Sequence, residues 1–452
     1  VSRSVAIAVS GPWESALVTT LERDTDAQVA RRCPDLADLL AVAGSGLAQV
    51  AMVSADLRAL DRTALDHLRE CSVTVVGIYP PGDEMAELHL RQLGIAILIT
   101  ADASGEVIQE SLDALESQAR PISQAVWLEQ GPGAEPGGTE TEIGAEGHDS
   151  RRTNESLGVI IAVWGPTGAP GRTTVALNLA SELAGLGQGT VLVDADTYGG
   201  CIAQSLSLLD EAPGLAAATR SADQGNLDLS ALARLAPEIC PGLRVLTGIP
   251  KAERWPELRA AALEHVLTLT RRLAQFTVID CGFSLEDDEE LSYDTLAPRR
   301  NAATLTSLGI ADHVLAVGAG DPVGLQRLVR GLQELGTLPA PSPTVVVNRV
   351  RASAVGSRPE QRIREGLSRF AGIDDPRFIP DDPATMDAAL LAGQSLAEAA
   401  PHSALRQSLV TLASELSGVP ASHVANRRRR GLPRSGLRRR GLRGTGSGRE
   451  SA

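Results

Sequence analysis

Residues 157–187 read LGVIIAVWGPTGAPGRTTVALNLASELAGLG: an apolar run, a turn of small residues, then a segment with Leu179, Leu183 and Leu186 spaced to share one helical face. Strand, loop and helix follow in the order a phosphate-holding loop requires. The small residues Gly168, Ala169 and Gly171, with Pro170 among them, let backbone N–H groups approach phosphate oxygens, and a helix beginning near Arg172 points its positive end at them. Thr173, with Thr174 after it, then sets a hydroxyl where Mg2+ would be held.

Three later segments end apolar strands on polar residues. GTVLVDADTYGG (189–200) carries Asp194 and Asp196, FTVIDCG (276–282) carries Asp280, and PTVVVNRV (343–350) carries Asn348 and Arg349. An asparagine amide has both a donor and an acceptor, as an adenine edge does, although asparagine also forms turns at strand ends. Between them, residues 283–307 are long and acidic, with Glu286, Asp287, Asp288, Glu289 and Glu290 ahead of Arg299 and Arg300. A solvated loop accounts for that segment; alternatively, one of the two arginines supplies charge to a terminal phosphate.

The octet TGAPGRTT (167–174) resembles the deviant Walker A motif, KGGxGKTT, of the MinD/ParA family of positioning ATPases, and the likeness runs over about 157–418. It implies ATP and Mg2+ as cofactors. Asp196 matches the switch aspartate that orients the attacking water, with Arg172 at the P-loop lysine position as the other catalytic group. Thr173, Asp196 and Asp280 match the groups around the metal, Asp280 as the Walker B aspartate. Gly168, Ala169, Pro170, Gly171, Arg172, Thr173 and Thr174 match the phosphate loop, while Asn348, Arg349 and Pro380 match positions at the base. Three positions depart from the pattern: Thr167 stands where the signature lysine belongs, Arg172 replaces the P-loop lysine, and Pro166 replaces the first glycine of GxxxxGK[ST]. Arginine keeps the charge without the compact geometry of an ammonium, so the departures bear on hydrolysis more than on binding.

Ahead of this unit, apolar runs at 5–9, 28–33, 49–54, 73–79 and 95–100 alternate with helix-like segments, the last at 106–118. That alternation predicts a parallel sheet with helices on both faces over residues 1–120. The order resembles a response-regulator receiver domain stripped of its chemistry, because the first strand runs into Ser10 and Gly11, the third ends in Ser54, the fifth in Thr100, and Asp56 is the only carboxylate nearby. The expected fold class is α/β throughout: a flavodoxin- or receiver-like parallel sheet, then a larger P-loop NTPase unit of the SIMIBI type.

Residues 121–156 include GPGAEPGGTETEIGAEG and carry too few apolar groups to offset ordering entropy, which predicts a flexible acidic linker. Residues 419–452 form an Arg-rich, glycine-broken tail expected to be disordered; from residue 421 it holds ten arginines against Glu450. The chain's net charge of −14 thus divides into +9 for the tail and −23 for residues 1–420, so contact with an anionic membrane or nucleic acid falls to the tail. Five widely spaced cysteines form no metal or disulfide pattern, and no leader pattern or membrane-spanning run is evident, which places the chain in the cytoplasm, with peripheral membrane association through the tail.

A receiver-like unit before a MinD/ParA-like one is similar to the CpaE/TadZ branch, whose members help place pilus machinery, and to septum-site proteins. Two readings follow. One is a weak ATPase that switches an ATP-dependent homodimer and recruits a protein partner of a polar, pilus or division machinery. The other is a hydrolysis-deficient nucleotide-binding scaffold.

Overall fold

Short apolar runs separated by helices bury both faces of a sheet only when the strands pair in parallel and helices pack on each side. The computed structural model, which describes residues 3–9, 11–119, 157–168, 170–208, 213–287 and 297–421, has this arrangement twice. Strands β1 (Arg3–Ala8), β2 (Ala27–Arg32), β3 (Val50–Ser54), β4 (Thr74–Tyr79) and β5 (Ile97–Thr100) form the first sheet. Their order is β2-β1-β3-β4-β5 and every neighbouring pair is parallel, the flavodoxin-like order. The strand ends expected from the sequence fall within two residues of these. Helices α1 (Gly11–Asp24), α2 (Leu36–Gly44), α3 (Arg62–Glu70), α4 (Glu84–Leu93) and α5 (Gly105–Ala119) cover the sheet. One apolar layer gathers Leu39, Leu65, Leu68 and Leu90, the other Leu17, Leu21, Ile108 and Leu112. Asp35, Asp61 and Asp83 start α2, α3 and α4, each accepting the N–H three residues on.

The second sheet is built around β6 (Val159–Trp164), β7 (Thr190–Ala195) and β10 (Phe276–Cys281). With β8 (Glu238–Cys240), β9 (Leu243–Leu246), β11 (His313–Ala319), β12 (Thr344–Val350) and β13 (Arg377–Pro380), the order is β13-β12-β11-β6-β10-β7-β9-β8. Only the β8–β9 pair at one edge is antiparallel. β7 and β10 are buried along their whole length, as continuous apolar strands in a sheet covered on both faces should be. Helix α6 (Arg172–Gly185) follows the loop after β6. Its leucines are buried as expected, but so are Asn178, Ser181 and Glu182 on the other side. Two later segments cover the face the sequence left open: Arg406 of the last described helix, Ala404–Ser417, pairs with Glu182, and the Leu396 N–H of the short helix Leu396–Ala399 donates to Asn178 Oδ1.

The two units touch where α3 meets α8 (Gly214–Asp223) and α10 (Ala260–Leu273); the intervening helices are α7 (Ile202–Ser205) and α9 (Leu229–Leu235). Arg62 Nε donates to Ala222 O at 2.8 Å, and its guanidinium also donates to Gln92 O and lies 3.3 Å from His265 Nε2. Thr63 donates to Asp223 at 3.1 Å, and Arg259 bridges Asp61 (3.1 Å) and Asp223 (3.2 Å). Burial, reinforced by the Arg62 charge, pushes the His265 imidazole down to about 4, so the ring is neutral against that arginine.

The expected linker at 121–156, the tail beyond residue 421, Ser10, Ala169 and the acidic residues Asp288, Glu289 and Glu290 lie outside the described residues. All five cysteines are unpaired. No helix of the described residues is long and apolar enough to cross a membrane.

Candidate functional site

In the second sheet the chain leaves β6, lays β10 between β6 and β7, and then crosses to β11 on the other side of β6. Such a switch in strand order opens a crevice at the carboxyl ends of the strands, where ligands bind in open α/β sheets. Asp280 stands there in register with Val163 of β6 and Asp194 of β7. The loop from β6 reaches α6 through Gly168 (φ 104°) and Gly171 (φ 99°), a backbone region that favours glycine. Gly171 caps α6 with no side-chain hydrogen bond, which leaves the first N–H groups of the helix facing the loop. A Cβ on Gly171 would lie 2.2 Å from Asn348 Nδ2.

Apart from Ala169, the site residues expected from the sequence have definite settings. Thr173 Oγ1 donates to Asp280 Oδ2 at 2.6 Å, while Asp280 Oδ1 is fully buried and has no hydrogen-bond partner. Asp196 Oδ1 accepts from the N–H groups of Tyr198 (2.9 Å) and Gly199 (3.2 Å). Arg172 is spread over four acceptors: Nε on Cys281 O (3.0 Å), Nη1 on Gly165 O (3.2 Å) and Pro166 O (3.4 Å), and Nη2 on Asp196 Oδ2 (3.1 Å). Asn348 uses both ends of its amide inside the protein, donating to Pro170 O at 2.9 Å and accepting the Arg349 N–H at 2.9 Å. It thereby braces the loop between β6 and α6. Arg349 is exposed with φ 57°, and Pro380 is half-buried at the end of β13, opposite Val350. Thr174 O accepts from Asn178 within α6.

The carboxylates at the strand ends repel one another in a dry setting. Burial pushes Asp194 up to about 7, with the Asp196 charge adding to it and hydrogen bonds from Ile202 N–H (3.1 Å) and Asp196 N–H (3.4 Å) opposing it. Asp194 has no room to move, because a Cβ on Gly200 or on Gly248 would come within 2.7 Å of it. Burial and then the Asp194 charge raise Asp280 well above the usual carboxylate range, against the Thr173 hydrogen bond.

An Mg2+ ion fits this donor set. The unpartnered Asp280 oxygen and the adjacent Thr173 hydroxyl are hard oxygen donors. Among the described residues no three acidic, histidine or cysteine side chains form a cage, but Mg2+ bound with phosphates needs only one or two carboxylates.

A group of residues around Arg300 was not recognised as a unit in the sequence. Its guanidinium donates to Thr197 Oγ1 (2.9 Å) and Thr197 O (3.1 Å), and it lies 3.9 Å from the Tyr198 ring centre and 5.4 Å from that of Trp255. Tyr198 OH donates to Asn301 Oδ1 at 2.7 Å, Asn301 Nδ2 donates to Glu286 O at 2.7 Å, and Trp164 Nε1 donates to Phe283 O at 3.1 Å. Arg300 is therefore a clasp between the loops after β7 and β10, and Arg299 pairs with Asp287 at 3.3 Å. Both guanidinium groups are committed to protein partners in this arrangement, which differs from the phosphate role considered for them. The signal available in the sequence was the aromatic content: only 2% of the chain is Phe, Trp or Tyr, so an aromatic residue beside Asp196 is informative.

No family model matches the chain, and no curated protein sequence does. Solved structures similar to it include a ParA family ATPase from Chlorobium tepidum (19% identity, 56% of this chain and 98% of that one, TM-score 0.48). The cell division ATPase MinD of Pyrococcus furiosus is another (21%, 58% and 100%, TM-score 0.46). A third is the septum site-determining protein MinD complexed with Mg-ADP from Pyrococcus horikoshii (19%, 57% and 96%, TM-score 0.45).

Proposed function

We propose that the chain is a nucleotide-dependent switch of the MinD/ParA kind. It binds ATP with Mg2+ at the loop spanning 165–174, forms a homodimer in that state and recruits a protein partner of a polar, pilus or division machinery. Slow hydrolysis or nucleotide exchange then resets it. One observation carries this reading: a buried carboxylate, Asp280, with one oxygen on the Thr173 hydroxyl and the other unpartnered, beside a glycine loop that opens a helix.

Thr173 and Asp280 would hold the cation with Asp196 nearby, and the N–H groups at the start of α6 would take the phosphates. The base would lie toward Asn348, Arg349 and Pro380. Bound there, Mg2+ would neutralise charge on the terminal phosphates. Asp196 would orient a water once its Oδ2 exchanges Arg172 for that water.

The Arg172 contacts favour a second reading, a scaffold that binds nucleotide without turnover. Three carbonyls and Asp196 already use this side chain, and hydrolysis requires the Arg172–Asp196 pair to part. Mg2+-dependent ATP binding and hydrolysis, measured on wild type, Asp196→Ala and Arg172→Ala, separate the two. The switch is expected to bind ATP as wild type and as Asp196→Ala, with turnover lost only in the latter. Tight binding without turnover in every form establishes the scaffold, and no binding in any form removes both.

The order of units, a flavodoxin-like sheet before the P-loop sheet, supports the CpaE/TadZ-like assignment within this reading. We place the chain in the cytoplasm, touching anionic membrane or nucleic acid through residues 421–452. Removing those residues is expected to abolish salt-sensitive binding to acidic liposomes or DNA. Equal retention by the shortened chain would exclude the tail as the contact.

A further inference from the structure

If nucleotide binds as proposed, the phosphate pocket needs a cation that its own motif does not free. Thr167 is neutral, Arg172 is fully engaged, and Asp194, Asp196 and Asp280 line the strand ends in a body of net charge −23. A group of polyphosphate charge entering there meets carboxylates first.

Helix α12 (Pro322–Leu335), which follows β11 and is separated from α10 in sequence by α11 (Ala302–Ile310), supplies one. Its N-cap, Asp321, turns the chain at the carboxyl ends of the strands, as the loop after β6 does, accepting from the N–H groups of Val323 (3.1 Å) and Gly324 (3.0 Å). Two glycines seat the helix without a gap. A Cβ on Gly324 would fall 2.6 Å from Ala319 O, and one on Gly331 would fall 2.8 Å from the Trp164 ring and 3.4 Å from Pro166. Positions 324, 327 and 331 share one helical face, so this close approach carries Arg327 onto the loop. Its guanidinium occupies the space that a side chain on Gly168 would need, with Nη1 2.1 Å from the ideal Cβ position. Arg327 is exposed and forms no hydrogen bond or ion pair with the described residues.

We propose that Arg327 is the phosphate-binding cation of this site, its planar fork contacting terminal phosphate oxygens of a nucleoside triphosphate in place of the lysine that Thr167 lacks. The proposal rests on the nucleotide reading above. α12 thus becomes part of the nucleotide pocket as well as part of the wall of the sheet. Arg330, also exposed and on the same helix, carries the same charge but is not the guanidinium that meets Gly168, which makes it the matched control for net charge.

The test is equilibrium binding of MgATP and MgADP to the full chain as wild type, Arg327→Ala, Arg327→Lys and Arg330→Ala. Arg327→Ala is expected to weaken MgATP binding on the order of tenfold or more and MgADP binding less, with Arg327→Lys intermediate and Arg330→Ala unchanged. Thermal unfolding should be alike in all four, because Arg327 has no hydrogen-bond or ion-pair partner among the described residues to lose. Wild-type affinity in Arg327→Ala, or an equal loss in Arg330→Ala, overturns the role of Arg327 and leaves the nucleotide site standing. A wild-type chain that binds neither nucleotide overturns the site itself and this proposal with it.

Discussion

Glu182→Ala is expected to cost about 3–5 kcal/mol of stability, the range for breaking a buried ion pair from one side. Glu182 and Arg406 meet in parallel, Oε1 with Nε at 2.6 Å and Oε2 with Nη2 at 2.9 Å, and their side chains are 2% and 6% exposed. Arg406 also donates to Pro401 O at 2.7 Å, so its charge is tied to a place that water does not reach. The alanine variant would leave that guanidinium buried beside a cavity with nothing to neutralise it. Substituting both partners, Glu182→Leu with Arg406→Met, is expected to recover most of the loss, because the desolvation of two charges is then removed with their attraction. Denaturant unfolding of the three variants measures this. A Glu182→Ala cost below about 1 kcal/mol would place the pair among those worth little, as exposed pairs are. Glu182 lies on α6, whose first turn carries Arg172 and Thr173, so the loss reaches the phosphate loop. Weakened nucleotide binding should accompany the lost stability in the single variant and recover in the double one.

The glycine loop, the strand that leads into it and the strand-end aspartates were legible in the sequence because each is local: glycines at 168 and 171, then a hydroxyl, and an apolar run closing on Asp280. What was not legible depends on residues far apart in the chain. The partner of Glu182 is 224 positions away, so α6 read as one-sided when it is enclosed. Arg62 and Asp61 meet the second unit across 160 and 198 positions, and nothing near residue 62 marks it as a contact. The short edge strand β8 is three residues long and half-exposed, too brief for a periodic signal. Arg172 stands at the lysine position only through the resemblance of TGAPGRTT to the deviant Walker A motif. Its four acceptors could not be anticipated, because they come from the ends of β6, β7 and β10, brought together only by the sheet order. Nothing in the sequence singles out Arg327, and only the glycine contacts of α12 put it against the loop.

Asp280→Asn should flatten how stability responds to pH and abolish its response to magnesium nucleotide. In the folded chain Asp194 is raised to about 7 and Asp280 is raised as well, against about 4 for either in the unfolded chain. The folded state therefore keeps protons on this pair that the unfolded state releases, so the pair's contribution to stability is present in full below about pH 4 and is lost as pH rises through 7. At pH 8 the two buried carboxylates in register must share the charge, and that contribution is gone. An amide at 280 keeps the shape, still accepts the Thr173 hydroxyl and removes one charge, which also lowers the cost of ionising Asp194. The variant without ligand should consequently be more stable than wild type at pH 8, with a shallower slope between pH 4 and 8. Its pocket would no longer offer a carboxylate to the cation. Wild type at 100 times the dissociation constant of magnesium nucleotide should gain about 2.7 kcal/mol, and the variant little of it. Urea unfolding at pH 5 and pH 8, with and without magnesium nucleotide, reads both effects. Parallel slopes for the two proteins would show that the strand-end carboxylates are not the source of the pH dependence. A full ligand gain in Asp280→Asn would move the cation away from Asp280. Gain of stability and loss of ligand response in the same substitution is the pattern of a residue whose charge is retained for binding at a cost to the fold.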